Sequence, residues 1–517
     1  MYESGKDCSS QAFAPRQDGA GRRVLVAASE IYPLAKTGGL ADVCGALPKA
    51  LSALGADMRM VMPAYPEALD AAGKLQVDMA AEIGGETLRV LRGRMPDSGL
   101  PVWLVDCPAL FDRPGTPYQD ASGQDWPDNF LRFAVFAQAA AMLALGYNSE
   151  GWRPDVVHAH DWHTGLLPLL LHAETGPRPA TLFTIHNAAF QGNFALNEAA
   201  ALGLDRGYLT PQGAEFYGQF SCLKAGIRYA DAVSTVSPGY ARELMTPEFG
   251  YGMEGLLRQR QDRFLGIMNG IDADVWNPAG DPHLNAHYSR PDCGGKAACK
   301  RELQRSFGLA VENDAPLAIS ASRLTSQKMA DVLLTSIPAI MAEHPRLQLA
   351  LIGRGDRQLE QGFTAMSERY PGRVAVQIGY EESLAHRMHA GADLLLHGSR
   401  FEPCGLTQLY AMRYGTLPLV RRVGGLADSV IDCDDIATPW RTGFIFDGIS
   451  GDALQHALRR GLAVYERQRE DWFALQRNAM AADFGWRRSA TQYLQLYRRL
   501  GGAWAPEAAR PLEAAIG

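Results

Sequence analysis

The residues with most chemistry to offer in this 517-residue chain stand just after short apolar runs. Lys36-Thr37-Gly38-Gly39 follows Val24–Ala28, and His158-Ala159-His160-Asp161-Trp162-His163 grows out of Val156–Val157. His186-Asn187 follows Leu182–Ile185, and Arg323 and Lys328 follow Leu317–Ser320. Ser399-Arg400-Phe401-Glu402-Pro403-Cys404-Gly405-Leu406-Thr407 follows Leu394–Leu396. Arg421, Arg422, Gly424 and Gly425 follow Leu419–Val420. Cations, glycines, imidazoles and one acid make the inventory of an anion site with an acid or dipole near its centre. Glycines at a helix start let backbone approach a phosphate, and the free N–H groups there carry partial positive charge. Arg adds a planar fork and Lys a point charge.

Several other chemistries are disfavoured. The phosphate loop Gly-x-x-x-x-Gly-Lys-Ser/Thr and the full Gly-x-Gly-x-x-Gly fingerprint are absent; Gly353-Arg354-Gly355-Asp356 lacks the third glycine. The cluster His158–His163 lacks the helical zinc signature and has no neighbouring Cys, so no metal is expected. Asp272-Ala273-Asp274 and Asp432-Cys433-Asp434 resemble a metal-binding Asp-x-Asp, but Asp272 follows the turn signal Asn269-Gly270, and turn roles are favoured. Cys404 has no adjacent His and reads as packing. Gly38–Asp42 (Gly-Gly-Leu-Ala-Asp) recurs at Gly424–Asp428, which suggests a glycine loop at a helix start in each half.

The elements that position these residues follow from periodicity. Val24–Ala28, Met58–Met62, Val102–Val105, Val156–His158, Leu182–Ile185 and Ala232–Val236 read as strands buried on both faces. So do Leu317–Ser320, Gln348–Ile352, Val374–Ile378, Leu394–Leu396, Leu419–Val420 and Phe444–Phe446, with Pro418 at a strand start. Strands alternating with helices imply parallel βαβ units, and so many imply two sheets. Two doubly wound domains, breaking near Phe264 to Asn269, are expected, with ligands in the cleft at the strand ends. Phe133–Ser149 is too short to span a membrane and reads as a buried helix. Met1–Gly21 is polar and reads as a loose tail. The 53 glycines exceed the usual ~7% and suit close backbone approaches. A net charge of −7 argues against nucleic-acid binding. Eight scattered cysteines without Cys-x-x-Cys read as reduced thiols, hence a cytoplasmic protein.

From about Arg23 to Arg499 the chain resembles the bacterial glycogen synthases and plant starch synthases. The motifs are Lys36-Thr37-Gly38-Gly39-Leu40, His158–His163, Phe183-Thr184-Ile185-His186-Asn187 and Tyr251-Gly252-Met253-Glu254-Gly255. Asn269-Gly270-Ile271-Asp272, Ser322–Lys328 and Arg400–Gln408 complete the set. The resemblance implies an α/β protein of two Rossmann-like doubly wound domains facing a cleft (GT-B type). It further implies a tail (1–21), an acceptor-side domain (22–264), a donor-nucleotide domain (265–484) and a segment 485–517 whose helix returns to the first domain. It implies transfer of glucose from ADP-glucose to the non-reducing end of an α-1,4-glucan, with retention and with no cofactor or metal. Glu402, His186, Arg323, Lys328 and Asp161 are the implied catalytic residues. Lys36, Gly38, Gly39, Asp42, Asn269, Tyr380, Gly405, Leu406 and Thr407 are the implied donor-site residues.

Preorganised cations such as Arg323 and Lys328 would stabilise charge growing on the departing ADP. A double displacement needs a carboxylate below the anomeric carbon; none is visible at that point, so front-face attack is preferred. Where the family usually has Gly-Leu after the lysine, this chain has Met329-Ala330; where it usually has Val-Pro before Ser399, it has His397-Gly398. The competing readings are a same-fold transferase using UDP-glucose, a glucan phosphorylase, and a non-catalytic glucan-binding protein.

Overall fold

The computed structural model describes residues 21–501; most of the expected N-terminal tail lies outside them. The described residues form two compact units, one of residues 21–235, 244–267 and 487–501, the other of residues 236–243 and 268–486.

The first unit is built on a nine-stranded sheet. Its order is Phe264–Gly266, Ala232–Thr235, Ala180–Ile185, Val156–His160, Arg23–Ala27, Asp57–Pro63, Pro101–Asp106, Glu86–Arg94 and Gln76–Ile83. The first seven are parallel. Their runs are apolar because both faces are covered: every residue of Val156–His160 is buried. The last two are an antiparallel pair absent from the sequence reading. Ile83 pairs with Glu86 across Gly84-Gly85, both at positive φ (62° and 83°), the two-residue turn that matches strand twist. The expected buried helix forms over Asn129–Ala144, earlier than the uncharged run suggests. Its start includes the buried Arg132, which donates to Leu110 O (2.8 Å), Pro117 O (3.0 Å) and Asn129 Oδ1 (2.7 Å). The C-terminal helix Trp486–Gly501 brings Tyr497 Oη to 2.8 Å from His158 Nδ1.

The second unit carries an all-parallel six-stranded sheet: Val374–Ile378, Gln348–Gly353, Leu317–Ala321, Leu394–His397, Leu417–Arg421 and Phe444–Phe446. Pro418 is the second residue of its strand, not the first. Leu417 N donates to Asp393 O (2.9 Å), so the next residue's missing N–H faces the opposite neighbour, whose strand begins only at Phe444, opposite Leu419. Among the described residues the seven cysteines are free thiols, and no helix is long and apolar enough to cross a membrane.

One buried ion pair clamps the two central strands of this sheet. Asp393 Oδ2 accepts from Lys300 Nζ (2.6 Å) and from Leu317 N (2.8 Å), at the starts of Leu394–His397 and Leu317–Ala321. Both partners are nearly inaccessible, 7% and 11% exposed, so removing one leaves an uncompensated buried charge. Lys300→Met should lower unfolding free energy by about 3 kcal/mol, read as a reduced urea midpoint.

Candidate functional site

In the first unit the expected residues gather at the carboxyl ends of three adjacent strands. After Arg23–Ala27, Glu30 folds back on the glycine loop. Its Oε2 accepts from Thr37 N and Gly38 N (3.3 Å), and its Oε1 accepts from Tyr118 Oη (3.1 Å). The amides offered to a phosphate by the sequence reading are therefore held by a carboxylate. Lys36 Nζ lies 2.8 Å from Asp42 Oδ1 and over the Tyr32 ring. Gly39 opens the helix Gly39–Ala53, and a side chain on Gly38 would meet nothing within 4 Å.

After Val156–His160 the backbone turns sharply at Asp161, with φ 59° and ψ 177°, a region nearly reserved for glycine. The turn is held at both ends: Asp161 N donates to Thr184 O (2.9 Å), and Asp161 Oδ1 accepts from His186 N (2.9 Å) and Asn187 N (3.4 Å). Burial pushes the Asp161 carboxyl up to about 7 despite those amides. Burial holds His186 down at about 3, so its ring is neutral; its Nε2 lies 2.9 Å from His160 Nδ1. His158 and His163 belong to packing. His158 bonds Tyr497 and Thr184 (2.6 Å), and His163 stacks on Tyr118 at 4.5 Å.

In the second unit, Arg323 and Lys328 follow Leu317–Ala321, and Glu402 follows the neighbouring strand Leu394–His397. Three donors converge on Glu402 Oε2: Lys328 Nζ, Ser399 Oγ (2.9 Å) and His397 Nε2 (3.1 Å). Burial alone would push this carboxyl up; Lys328 and the His397 hydrogen bond outweigh it and hold it well below the usual carboxylate range. The loops are braced around this pair. Arg400 N donates to Gln327 O (2.8 Å), Arg400 forks onto Asp331 (2.8 Å twice), and Arg421 Nη1 donates to Ser399 O and Arg400 O. Arg323 itself is exposed.

The second glycine pair does structural duty. A Cβ on Gly424 would stand 2.0 Å from Glu402 O, and one on Gly425 2.2 Å from Cys404 O. Gly425 N donates to Glu402 O (3.0 Å). Cys404 is buried with Sγ 3.4 Å from Met268 Sδ, and Asn269 beside it is buried with Oδ1 unpartnered. Gly405, Leu406 and Thr407 lead into the helix Thr407–Arg413. Tyr380 stands apart from this group in the sheet order, after the edge strand Val374–Ile378, and is 66% exposed.

The two Asp-x-Asp pairs are turn and brace elements. Asp272 Oδ1 accepts from Asp274 N and Val275 N. Asp432, Cys433 and Asp434 gather their ligand atoms within 4.8 Å, but Arg460 Nη2 bridges the two carboxylates at 2.5 and 2.6 Å.

Met329 and Gly398, two of the departures from the family pattern, touch each other. Met329 is left-handed (φ 53°) and buried, just before the helix Ala330–Glu343. A Cβ on Gly398 would stand 3.2 Å from Met329 Sδ and 3.3 Å from its Cβ. A cavity of about 20 Å³, lined in part by Ser320, Lys328, Met329 and Gly398, lies beside them. Sequence reasoning passed over Glu30 and the contact role of His397, although both stand at strand ends, and named Ser399 only as part of its loop.

Residues 23–259 match the starch synthase catalytic domain family, and residues 303–472 match glycosyl transferases group 1. The chain is 58% identical over 482 residues to a glycogen synthase of Burkholderia thailandensis, covering 92% of this chain and 90% of that one. It is 49% identical over 486 residues to a glycogen synthase of Paramagnetospirillum magneticum, covering 93% and 98%. The catalytic domain of starch synthase IV from Arabidopsis thaliana, a structure bound to ADP and acarbose, matches with a TM-score of 0.85 at 33% identity, covering 93% of this chain and 100% of that one. The chain belongs to the glycogen synthase family and is a glycosyltransferase with the GT-B fold.

Two predictions follow from these contacts. Gly398→Ala should cost about 1 kcal/mol through overpacking, and less in a Met329→Gly background; non-additive unfolding free energies in the four-variant cycle check this. Asp161 binds its proton more tightly folded (about 7) than unfolded, so its contribution to stability is lost as pH rises from about 4 to 7. Asp161→Asn removes that loss while keeping an oxygen for the two amides. Relative to the unsubstituted protein, its urea midpoint should therefore be higher at pH 8 than at pH 5.

Proposed function

We propose, on the premise of this family membership, that the chain transfers glucose from ADP-glucose to the non-reducing end of an α-1,4-glucan with retention of configuration. The observation that carries the reading is the ion pair of half-buried Lys328 with buried Glu402 at the carboxyl ends of adjacent central strands, where open parallel sheets bind ligands. The ADP bound by the starch synthase IV domain supports the choice of nucleotide.

In this reading Arg323 and Lys328 meet the diphosphate as charge develops on it. Asn269, Tyr380 and the backbone of Gly405, Leu406 and Thr407 hold the donor, with Lys36, Gly38, Gly39 and Asp42 as the first unit's donor-loop contribution. Glu402 faces the glucose, while Asp161 and His186 serve the sugar and acceptor. His186 acts as a neutral imidazole, because burial disfavours its charged form. Glu402 Oε2 accepts from His397 and Ser399 as well as Lys328, so it stays hydrogen-bonded when Lys328 meets the diphosphate, which makes that oxygen a poor nucleophile. That favours front-face substitution: the bond from the anomeric carbon to the phosphate oxygen breaks as the bond to the acceptor O4 forms. The acceptor proton leaves with the phosphate oxygen. Glu402 then orients the sugar and stabilises the cationic transition state. On this reading the enzyme is cytoplasmic, with ADP-glucose and glycogen as its partners.

The test is ADP release from ADP-glucose with and without glycogen, and UDP release from UDP-glucose in parallel. Glycogen-dependent release with ADP-glucose alone is expected. Release with UDP-glucose alone would overturn the donor, and no release with either would favour a glucan-binding protein without turnover. Lys328→Ala should lower kcat by roughly 10²–10³, and Glu402→Ala should abolish transfer while glycogen co-sedimentation persists.

A further inference from the structure

We propose that His397 is a positioning residue for glucosyl transfer: its Nε2–H holds Glu402 in place, leaving Lys328 free to turn from Glu402 to the departing diphosphate. The inference rests on the glucosyl-transfer reading above.

The geometry sets the problem. Glu402 is 5% exposed, and Lys328 Nζ, Ser399 Oγ and His397 Nε2 share its single oxygen Oε2. Lys328 is also the cation assigned to the donor's diphosphate. When it moves toward phosphate, Glu402 loses its counter-charge inside a desolvated site, where an unpaired carboxylate is costly. Two uncharged donors remain to hold it, and His397 is the one anchored in regular structure. It ends the strand Leu394–His397, paired with Val420 of the next strand.

The ring's state follows from its surroundings. His397 is 4% exposed, and its Nδ1 is buried with no hydrogen-bond partner. Protonating the ring would leave an N–H at Nδ1 with nothing to receive it. Burial likewise disfavours the imidazolium. The neutral ring therefore carries its one hydrogen on Nε2 and donates it to Glu402. A neutral donor steadies the carboxylate without competing with Arg323 and Lys328 for phosphate. Ser399 stands on the same loop as Glu402, three residues before it; His397 ties that loop to the sheet.

The experiment compares steady-state transfer from ADP-glucose to glycogen, ADP affinity and thermal midpoint for the unsubstituted protein, His397→Val and His397→Gln. The same is done for Glu402→Gln with and without His397→Val. Losing a hydrogen bond to a charged group should lower kcat about ten-fold in His397→Val, with ADP affinity changed by less than about two-fold. The thermal midpoint should hold or rise, since the orphaned Nδ1 is gone. His397→Gln, which offers an amide N–H in its place, should recover most of kcat. In the Glu402→Gln background His397→Val should add no further loss. Unchanged kcat in His397→Val overturns the proposal. So do a glutamine variant as slow as the valine one, multiplying losses with Glu402→Gln, and a fall in kcat matched by a fall in thermal midpoint. An unsubstituted protein that releases no ADP in the presence of glycogen overturns the glucosyl-transfer reading itself, and this inference with it.

Discussion

A carboxylate that must stay charged while buried is the constraint on which the second unit depends. Glu402 keeps its charge because Lys328 and two neutral donors converge on one oxygen. Glu402, Lys328 and Ser399 come from loops, and loops are free to drift unless tied down; only His397 stands on a strand. Arg400 binds the lysine-bearing loop through Gln327 and Asp331, Arg421 holds the carbonyls of Ser399 and Arg400, and Gly424-Gly425 packs on the carbonyls of Glu402 and Cys404. At the opposite end of the same two strands, Lys300 and Asp393 fix the strand starts. One ion pair sets the alignment of the strands, and the other sits where that alignment delivers its partners.

The first unit solves a different electrostatic problem. Its strand ends carry a carboxyl pushed up to about 7 and imidazoles that burial keeps neutral. Where the second unit holds charge, the first holds dipoles. Neutral imidazoles and backbone amides can orient hydroxyl groups without the reorganisation a bare charge demands. The unusual backbone at Asp161 belongs to this design: the strained turn aims its carboxyl at the amides of His186 and Asn187, and so sets the spacing of two strand ends.

The parallel strands were legible in sequence because burial on both faces makes most of their residues apolar. The hairpin Gln76–Ile83/Glu86–Arg94 was not, since one-sided burial dilutes its pattern, although Gly84-Gly85 marked the turn. The charged core of the site was legible because Lys328 and Glu402 follow adjacent strands. Glu30 was missed because an acid in a glycine loop's neighbourhood has no spacing rule; only the fold shows that it caps the loop amides. The Gly-Gly echo does mark a helix start in each unit, Gly39–Ala53 and Gly424–Ser429, but what each pair admits was not legible. A glycine pair before a helix looks the same in sequence whether it admits a phosphate or another stretch of backbone, and Gly424-Gly425 admits backbone.

Three of the four departures from the family pattern, Met329, His397 and Gly398, make sense as one local change. Met329 takes a left-handed conformation that glycine would adopt without strain, at a cost of order 1 kcal/mol. Its side chain is buried in return, and it fits because Gly398 has no Cβ to meet it. Any other residue at 398, proline included, would press its Cβ to within 3.2 Å of Met329 Sδ and 3.3 Å of its Cβ. Glycine there leaves the link after the strand less rigid, and Glu402 hangs four residues further along that link. His397, the last residue still held by the sheet, binds Glu402 directly. Restraint lost from the backbone at Gly398 is thus supplied by a side chain at His397, and the carboxylate stays fixed through a hydrogen bond instead of through a stiff chain.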